Sequence, residues 1–132
     1  MQVPILKQRD YLIASIQAAL TDEDLKNLRD ALVAQVGEHR SRGVIIDVAA
    51  LDVMDSFAVR TLRDLAQMTR LRGAETVIVG IQPEVAFAMT QLGVRLEGVT
   101  AALDLEGGLA YLEHKTKPST LRRATSNPGR RA

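Results

Sequence analysis

The sequence of 132 residues contains no cysteine and no tryptophan, and only 3% of its residues are aromatic. Without cysteine, the chain has no means of forming a disulfide, a thiolate metal site or a cysteine nucleophile. The scarcity of aromatic rings argues against a stacking platform for single-stranded nucleic acid. No apolar run approaches the roughly 20 residues that a membrane-spanning helix requires. These absences favour a soluble, folded domain.

The composition and the first residues indicate the size and the location of this domain. Hydrophobic residues make up 46% of the chain and charged residues 25%, as in ordinary globular proteins. A length of 132 residues fits one domain with its own core. The start, Met-Gln-Val-Pro-Ile-Leu, lacks the charged lead and the long apolar run of a signal peptide, so we expect a cytoplasmic protein.

The net charge of +1 conceals an unequal distribution along the chain. All 16 acidic residues and 11 of the 17 basic residues lie in residues 1–114, which therefore carry a net charge of −5. The other six basic residues lie among Pro, Ser, Thr and Asn in residues 115–132, a composition typical of solvated segments. We predict a folded domain over residues 1–114 and a basic, flexible C-terminal tail over residues 115–132. Nucleic-acid binding by this tail is not favoured, and its role stays open.

Alternating strand and helix patterns predict a mixed α/β domain. Runs rich in β-branched residues alternate with segments whose apolar residues recur at helical spacing. The predicted strands span residues 3–7, 11–17, 44–48, 76–80 and 94–96, and the predicted helices span residues 22–40, 56–71, 83–93 and 104–114. The first two strands form a hairpin, and the later crossovers build a mostly parallel sheet of four to five strands. We expect the helices to lie mainly on one face.

The junction between the third strand and the second helix is the most informative part of the sequence. Residues 44–57 run from an apolar strand through an acidic turn and deliver Ser56 to a helix start. The first N–H groups of a helix have no intrahelical partners, and the helix dipole places partial positive charge there. A serine at this point either caps the helix or carries a stabilised phosphate, and the residue pattern alone favours the cap.

Three carboxylates, Asp47, Asp52 and Asp55, surround this junction and raise the question of a divalent metal site. Turn and N-cap chemistry explains them better, because Asp47 lies within the strand and the other two occupy the turn. We therefore predict no metal and no other cofactor.

The sequence offers little support for catalysis. Its two histidines, His39 and His114, lie late in predicted helices, where a surface role is favoured. No Gly-x-Ser-x-Gly surrounds Ser56, and neither a dinucleotide-binding glycine motif nor a Walker-type loop is present. We predict that the chain is not an enzyme, although spacing alone leaves open a hydrolase that pairs Ser56 with a histidine.

Four stretches of the sequence resemble the STAS-domain family, which includes sulfate-transporter tails and bacterial anti-sigma-factor antagonists. They are residues 3–7, residues 52–57 (Asp-Val-Met-Asp-Ser-Phe), residues 80–83 and residues 100–109. Within the family these stretches are most similar to the small scaffold proteins of the stressosome. Free antagonists commonly follow Asp-Ser with another Ser or Thr and then Gly-Leu-Gly, whereas residues 57–60 read Phe-Ala-Val-Arg. The resemblance therefore favours the scaffold branch, with a free anti-sigma-factor antagonist as the alternative.

The resemblance implies a phosphorylation switch at Ser56, which reverses the preference for a cap. Asp52, Asp55 and Phe57 then flank the phosphosite and contribute to kinase docking. The resemblance further implies a homo- and hetero-oligomer with RsbR-type STAS paralogues, and capture of an RsbT-like serine/threonine kinase until Ser56 is phosphorylated. An RsbX-like phosphatase would reset the switch. The implied role is control of a stress-response pathway, without contact with a membrane.

Overall fold

The computed structural model describes residues 3–93 and 98–116, and within these ranges the chain forms five strands and four helices. The elements are β1 (Ile5–Gln8), β2 (Tyr11–Ser15), α1 (Asp22–His39), β3 (Gly43–Asp47), α2 (Ser56–Leu71), β4 (Glu75–Val79), α3 (Pro83–Leu92), β5 (Thr100–Ala102) and α4 (Leu105–Lys115). The predicted order is confirmed up to α3. The strand predicted at 94–96 lies outside the described residues, and β5 was not predicted. The tail was predicted over residues 115–132; Lys115 instead ends α4, and residues 117–132 lie outside the described residues.

The five strands form one sheet in the order β1-β2-β3-β4-β5. β1 and β2 pair antiparallel as the predicted hairpin, and the remaining neighbours pair parallel. Ile13, Ile45 and Val77 lie side by side across β2, β3 and β4. The predicted α/β class, with a mostly parallel sheet opened by a hairpin, is confirmed.

Side chains alternate between the two faces of this sheet, and each face has its own core. On β3, Val44 and Ile46 belong to the larger core, which α1, α2 and α3 cover. Ile45 points to the other face and packs with Leu112 of α4. Helices therefore lie mainly on one face, as predicted, with α4 alone on the other. Gly108 allows α4 to approach closely, since a Cβ there would lie 2.7 Å from Val79 Cγ1.

The helices begin at one edge of the sheet, the edge at which the parallel strands end; we call it the carboxyl edge. The start of α1 has a capping box: Asp24 N donates to Thr21 Oγ1 over 3.1 Å, and Thr21 N donates to Asp24 Oδ2 over 3.2 Å. Asp104 caps α4 by accepting from Gly107 N over 2.8 Å. In the described ranges, none of the helices has the length and hydropathy needed to cross a bilayer.

Candidate functional site

The loop between β3 and α2, residues 48–55, lies at the carboxyl edge and leads directly to Ser56. Val48 N extends the ladder by donating to Val79 O over 3.0 Å, and Leu51 N closes a turn by donating to Val48 O over 3.0 Å. Leu51 and Met54 are buried in the larger core. Two apolar side chains thus hold the loop down while its polar residues face water.

The loop between β4 and α3 braces this loop at Ala49. Gln82 Nε2 donates to Ala49 O over 2.7 Å, and Ala49 N donates to Asp47 Oδ1 over 2.9 Å. Gly80 has a φ of 81°, and a Cβ at this position would lie 2.8 Å from Ala49 Cβ. Gln82 occupies the N-cap position of α3 but makes no cap hydrogen bond with its side chain. The sequence pattern did not predict this brace; its only signal was the resemblance at residues 80–83.

Asp55, and not Ser56, caps helix α2. Asp55 has extended backbone geometry, with φ −84° and ψ 176°, and its Oδ1 accepts from Ala58 N over 2.8 Å. Ser56 is the first residue of the helix, so the sequence-based preference for Ser56 as the cap is wrong. The physical reason is that two good capping residues stand next to each other, and the aspartate occupies the extended position before the first turn.

Ser56 is half-buried, and its hydroxyl has no hydrogen-bond partner among the residues that the structure describes. The first turn of α2 contains no acidic residue, whereas those of α1, α3 and α4 do. The positive end of the α2 dipole therefore faces Ser56, and the carboxylate of the preceding residue, Asp55, accepts from the first turn. This arrangement leaves the hydroxyl chemically available at a helix start.

The other predicted site residues occupy different environments around Ser56. Asp52 and Asp55 are exposed, and Phe57 is half-buried. Phe57 also contributes its carbonyl oxygen, which accepts from Thr61 Oγ1 over 2.8 Å. Asp47 and Asp55 each accept a hydrogen bond from a backbone N–H with one carboxylate oxygen. Over residues 3–93 and 98–116, no group of three or more His, Asp or Glu side chains is arranged to hold a metal ion.

Both histidines lie at the edge of the sheet opposite to Ser56. α1 begins at the carboxyl edge and runs for 18 residues, about 27 Å of helix, before it ends at His39. His114 lies in the last turn of α4, whose end is fixed beside the start of β2 because Tyr11 Oη and Thr116 Oγ1 are 3.4 Å apart. Neither imidazole is placed to activate the Ser56 hydroxyl, so the hydrolase hypothesis is wrong.

The comparison with protein families identifies one model, that of the STAS domain, which matches residues 2–103. Among curated proteins, RsbT co-antagonist protein RsbRA of Bacillus subtilis strain 168 is 28% identical over 107 residues. The match covers 81% of this chain but only 38% of RsbRA, so the chain spans well under half of that relative.

Two solved structures are similar over nearly the whole of their chains. A serine-to-glutamate variant of RsbS from Moorella thermoacetica is 33% identical, with a TM-score of 0.75, and the match covers 86% of this chain and 97% of that one. A chain from the structure described as the molecular architecture of the stressosome, a signal integration and transduction hub, is also 33% identical. Its TM-score is 0.71, with 87% of this chain and 100% of that chain covered.

Proposed function

This chain belongs to the STAS-domain family, and from that premise we propose that it is a non-catalytic scaffold of a stressosome. In the resting state it sequesters a serine/threonine switch kinase, and phosphorylation of Ser56 releases that kinase. The observation that carries the proposal is the Ser56 hydroxyl, which stands at the first residue of α2 without a hydrogen-bond partner in the described part of the chain. The similarity to RsbS over 97% of the RsbS chain supports the scaffold role.

A phosphate at Ser56 would change the surface more than the fold. It adds about −1.5 to −2 charges at neutral pH, beside the exposed carboxylates Asp52 and Asp55. The N-terminal dipole of α2 offsets part of the repulsion, by about 0.3–1 kcal/mol at an exposed position. Because Asp55 supplies the cap, the helix start does not depend on the modified hydroxyl. The modification therefore acts on whatever partner covers this surface.

The proposed partners follow from the relatives. RsbRA carries the name of an RsbT co-antagonist, so we propose that this chain assembles with RsbR-type STAS paralogues and holds an RsbT-like kinase. An RsbX-like phosphatase would remove the phosphate and restore capture. We propose a cytoplasmic location for the assembly and a stress-response pathway as its output.

Phosphorylation by the RsbT-like kinase of the same organism is the direct test. After incubation of the full chain with that kinase and ATP, mass spectrometry should find one phosphate on Ser56. Ser56→Ala should remain unmodified. Ser15→Ala is the matched control, because Ser15 ends β2 at the same carboxyl edge and is also half-buried; this variant should still be modified at Ser56. An unmodified Ser56 in the unaltered chain would refute the phosphoswitch.

The size of the assembly separates a scaffold from a free antagonist. When mixed with its RsbR-type paralogue, a scaffold enters a very large particle, which size-exclusion chromatography with light scattering resolves. A free anti-sigma-factor antagonist stays small under the same conditions. If only the small species is found, the scaffold role is wrong and the free-antagonist role takes its place. The proposal that Ser56 is phosphorylated would not be affected.

A further inference from the structure

A small apolar recess opens beside Ser56, between the segment that follows β2 and the β3–α2 loop. Its volume is about 110 Å³. Ala19 and Leu20 line one side, and Val53 and Ala58 line the other. Of its nine lining residues, eight are apolar and one is charged, Asp55. We call this feature the Ala19 recess.

The size and chemistry of the Ala19 recess restrict what it can hold. Pockets for small molecules and cofactors measure roughly 300–1,000 Å³, so this recess is too small for one. An apolar protein cavity of about 150 Å³ holds one benzene molecule, so this recess suits a slightly smaller group, the bulk of one leucine, isoleucine or methionine side chain. Its apolar lining offers few hydrogen bonds to water. A single aliphatic side chain from a protein partner is the occupant that fits.

The position of the recess identifies the partner. Asp55 and Ala58 both line it, and they stand on either side of Ser56 in the sequence. An enzyme that draws the Ser56 hydroxyl into its active site therefore comes within reach of the recess, although Ser56 itself does not line it. Val53, at the rim, is 69% exposed although its neighbour Met54 is buried, so the loop presents an apolar surface at this point. We propose that the Ala19 recess seats one aliphatic side chain of the kinase that phosphorylates Ser56.

This inference rests on the proposed function and adds a reason for release. A seat that excludes water around an aliphatic side chain lies next to the hydroxyl that receives the phosphate. A phosphate in or beside an apolar interface is disruptive, because the dianion loses hydration and meets a like charge at Asp55. Capture and release thus use the same few residues. In this proposal, one modification beside the recess ejects the partner without unfolding the domain.

Filling the recess tests the inference. Ala19 is exposed and lies outside every helix and strand, so Ala19→Leu occupies the recess with little effect on the fold. We expect its Kd for the RsbT-like kinase, measured by isothermal titration calorimetry on the full chain, to rise at least tenfold. Ala110→Leu is the matched control, because Ala110 is an exposed residue of α4 on the opposite face of the sheet; its Kd should change by less than twofold. Val53→Ser removes the apolar rim and should also weaken binding.

Each outcome of this titration has a distinct meaning. If the unaltered chain and Ala19→Leu bind the kinase with equal affinity and have the same melting temperature, the proposed role of the recess is wrong. The proposed phosphorylation switch is not affected by that result. Loss of assembly with the paralogue at unchanged kinase affinity would assign the recess to a different partner and also overturns the inference. If Ala19→Leu fails to fold, the test depends on Val53→Ser alone. Unchanged kinase affinity of Val53→Ser would then contradict binding of a kinase side chain in the recess. An unaltered chain that neither binds the kinase nor becomes phosphorylated refutes the proposed function itself.

Discussion

Replacing Asp55 with alanine tests which residue starts helix α2. Asp55 Oδ1 accepts a hydrogen bond of 2.8 Å from Ala58 N, and alanine leaves that N–H without a side-chain acceptor. Loss of an N-cap acceptor costs about 1 kcal/mol. Loss of the carboxylate beside the positive end of the helix dipole adds about 0.3–1 kcal/mol. We therefore expect Asp55→Ala to lower the free energy of unfolding by about 1–2 kcal/mol.

Two neighbouring variants separate the cap from the charge and from the hydroxyl. Asp55→Asn keeps a side-chain oxygen for Ala58 N and removes only the charge, so its loss should be limited to about 0.3–1 kcal/mol. Ser56→Ala removes a hydroxyl that makes no hydrogen bond within the described ranges, and alanine is the better helix former. Its free energy of unfolding should stay within about 0.5 kcal/mol of the unaltered value.

Urea unfolding followed by circular dichroism measures these differences at a single pH. The dependence of the free energy on urea should keep the same slope in all three variants, because none of them changes the surface exposed on unfolding. A loss for Ser56→Ala as large as that for Asp55→Ala would mean that the serine caps the helix. That result would also withdraw the argument that phosphorylation leaves the helix start intact.

The supports of the β3–α2 loop and the sheet contact of α4 give further tests by the same unfolding measurement. Gly80→Ala places a Cβ 2.8 Å from Ala49 Cβ and should cost more than about 1 kcal/mol. Gly73→Ala is its control for backbone strain alone, since Gly73 has a φ of 89° and a Cβ there would meet no atom of the described residues within 4 Å; equal losses would exclude the Ala49 contact as a cause. Gln82→Ala removes the 2.7 Å hydrogen bond to Ala49 O and should cost about 0.5–1.5 kcal/mol, and an unchanged free energy would show that Gln82 does not brace the loop. Gly108→Ala should cost about 1–3 kcal/mol through overpacking against β4, and a neutral result would mean that α4 moves away without penalty.

Local sequence patterns predicted most of the fold, because residues typical of helix or strand ends stand at the bounds of most elements. The bounds of α2 were predicted at both ends, and α3 begins at Pro83, as the proline indicated. β5 was missed because Thr100–Ala102 has no strand pattern of its own and forms a strand only by pairing with Val77–Val79. That pairing is a long-range contact that single-sequence periodicity does not record.

The separate position of α4 had a signal in the sequence that the predicted arrangement did not use. Within β3 and β4, residues 44–46 and 77–79 form continuous apolar runs rather than alternating ones, which is typical of parallel strands buried on both faces. Such strands require a helix on each side, and α4 is the helix available for the second face. The prediction of the α2 cap failed for a different reason. Asp55 and Ser56 are both good N-cap residues, and the start of a helix is defined only to within one or two residues.

A cap at Asp55 is more compatible with phosphorylation of Ser56 than a cap at Ser56 would be. A serine that capped α2 would need its oxygen to accept from a backbone N–H of the first turn, and a phosphate would then disturb the start of the helix. With Asp55 in that role, the Ser56 hydroxyl makes no hydrogen bond among the described residues, and we expect its modification to leave the helix start intact. Gln82 donates a hydrogen bond to Ala49, and Met54 is buried in the core. We therefore expect the loop to keep its conformation when a phosphate is added to Ser56. The switch that we propose would therefore alter the charge and hydration of a surface while the fold beneath it stays the same, as reversible capture of a partner requires.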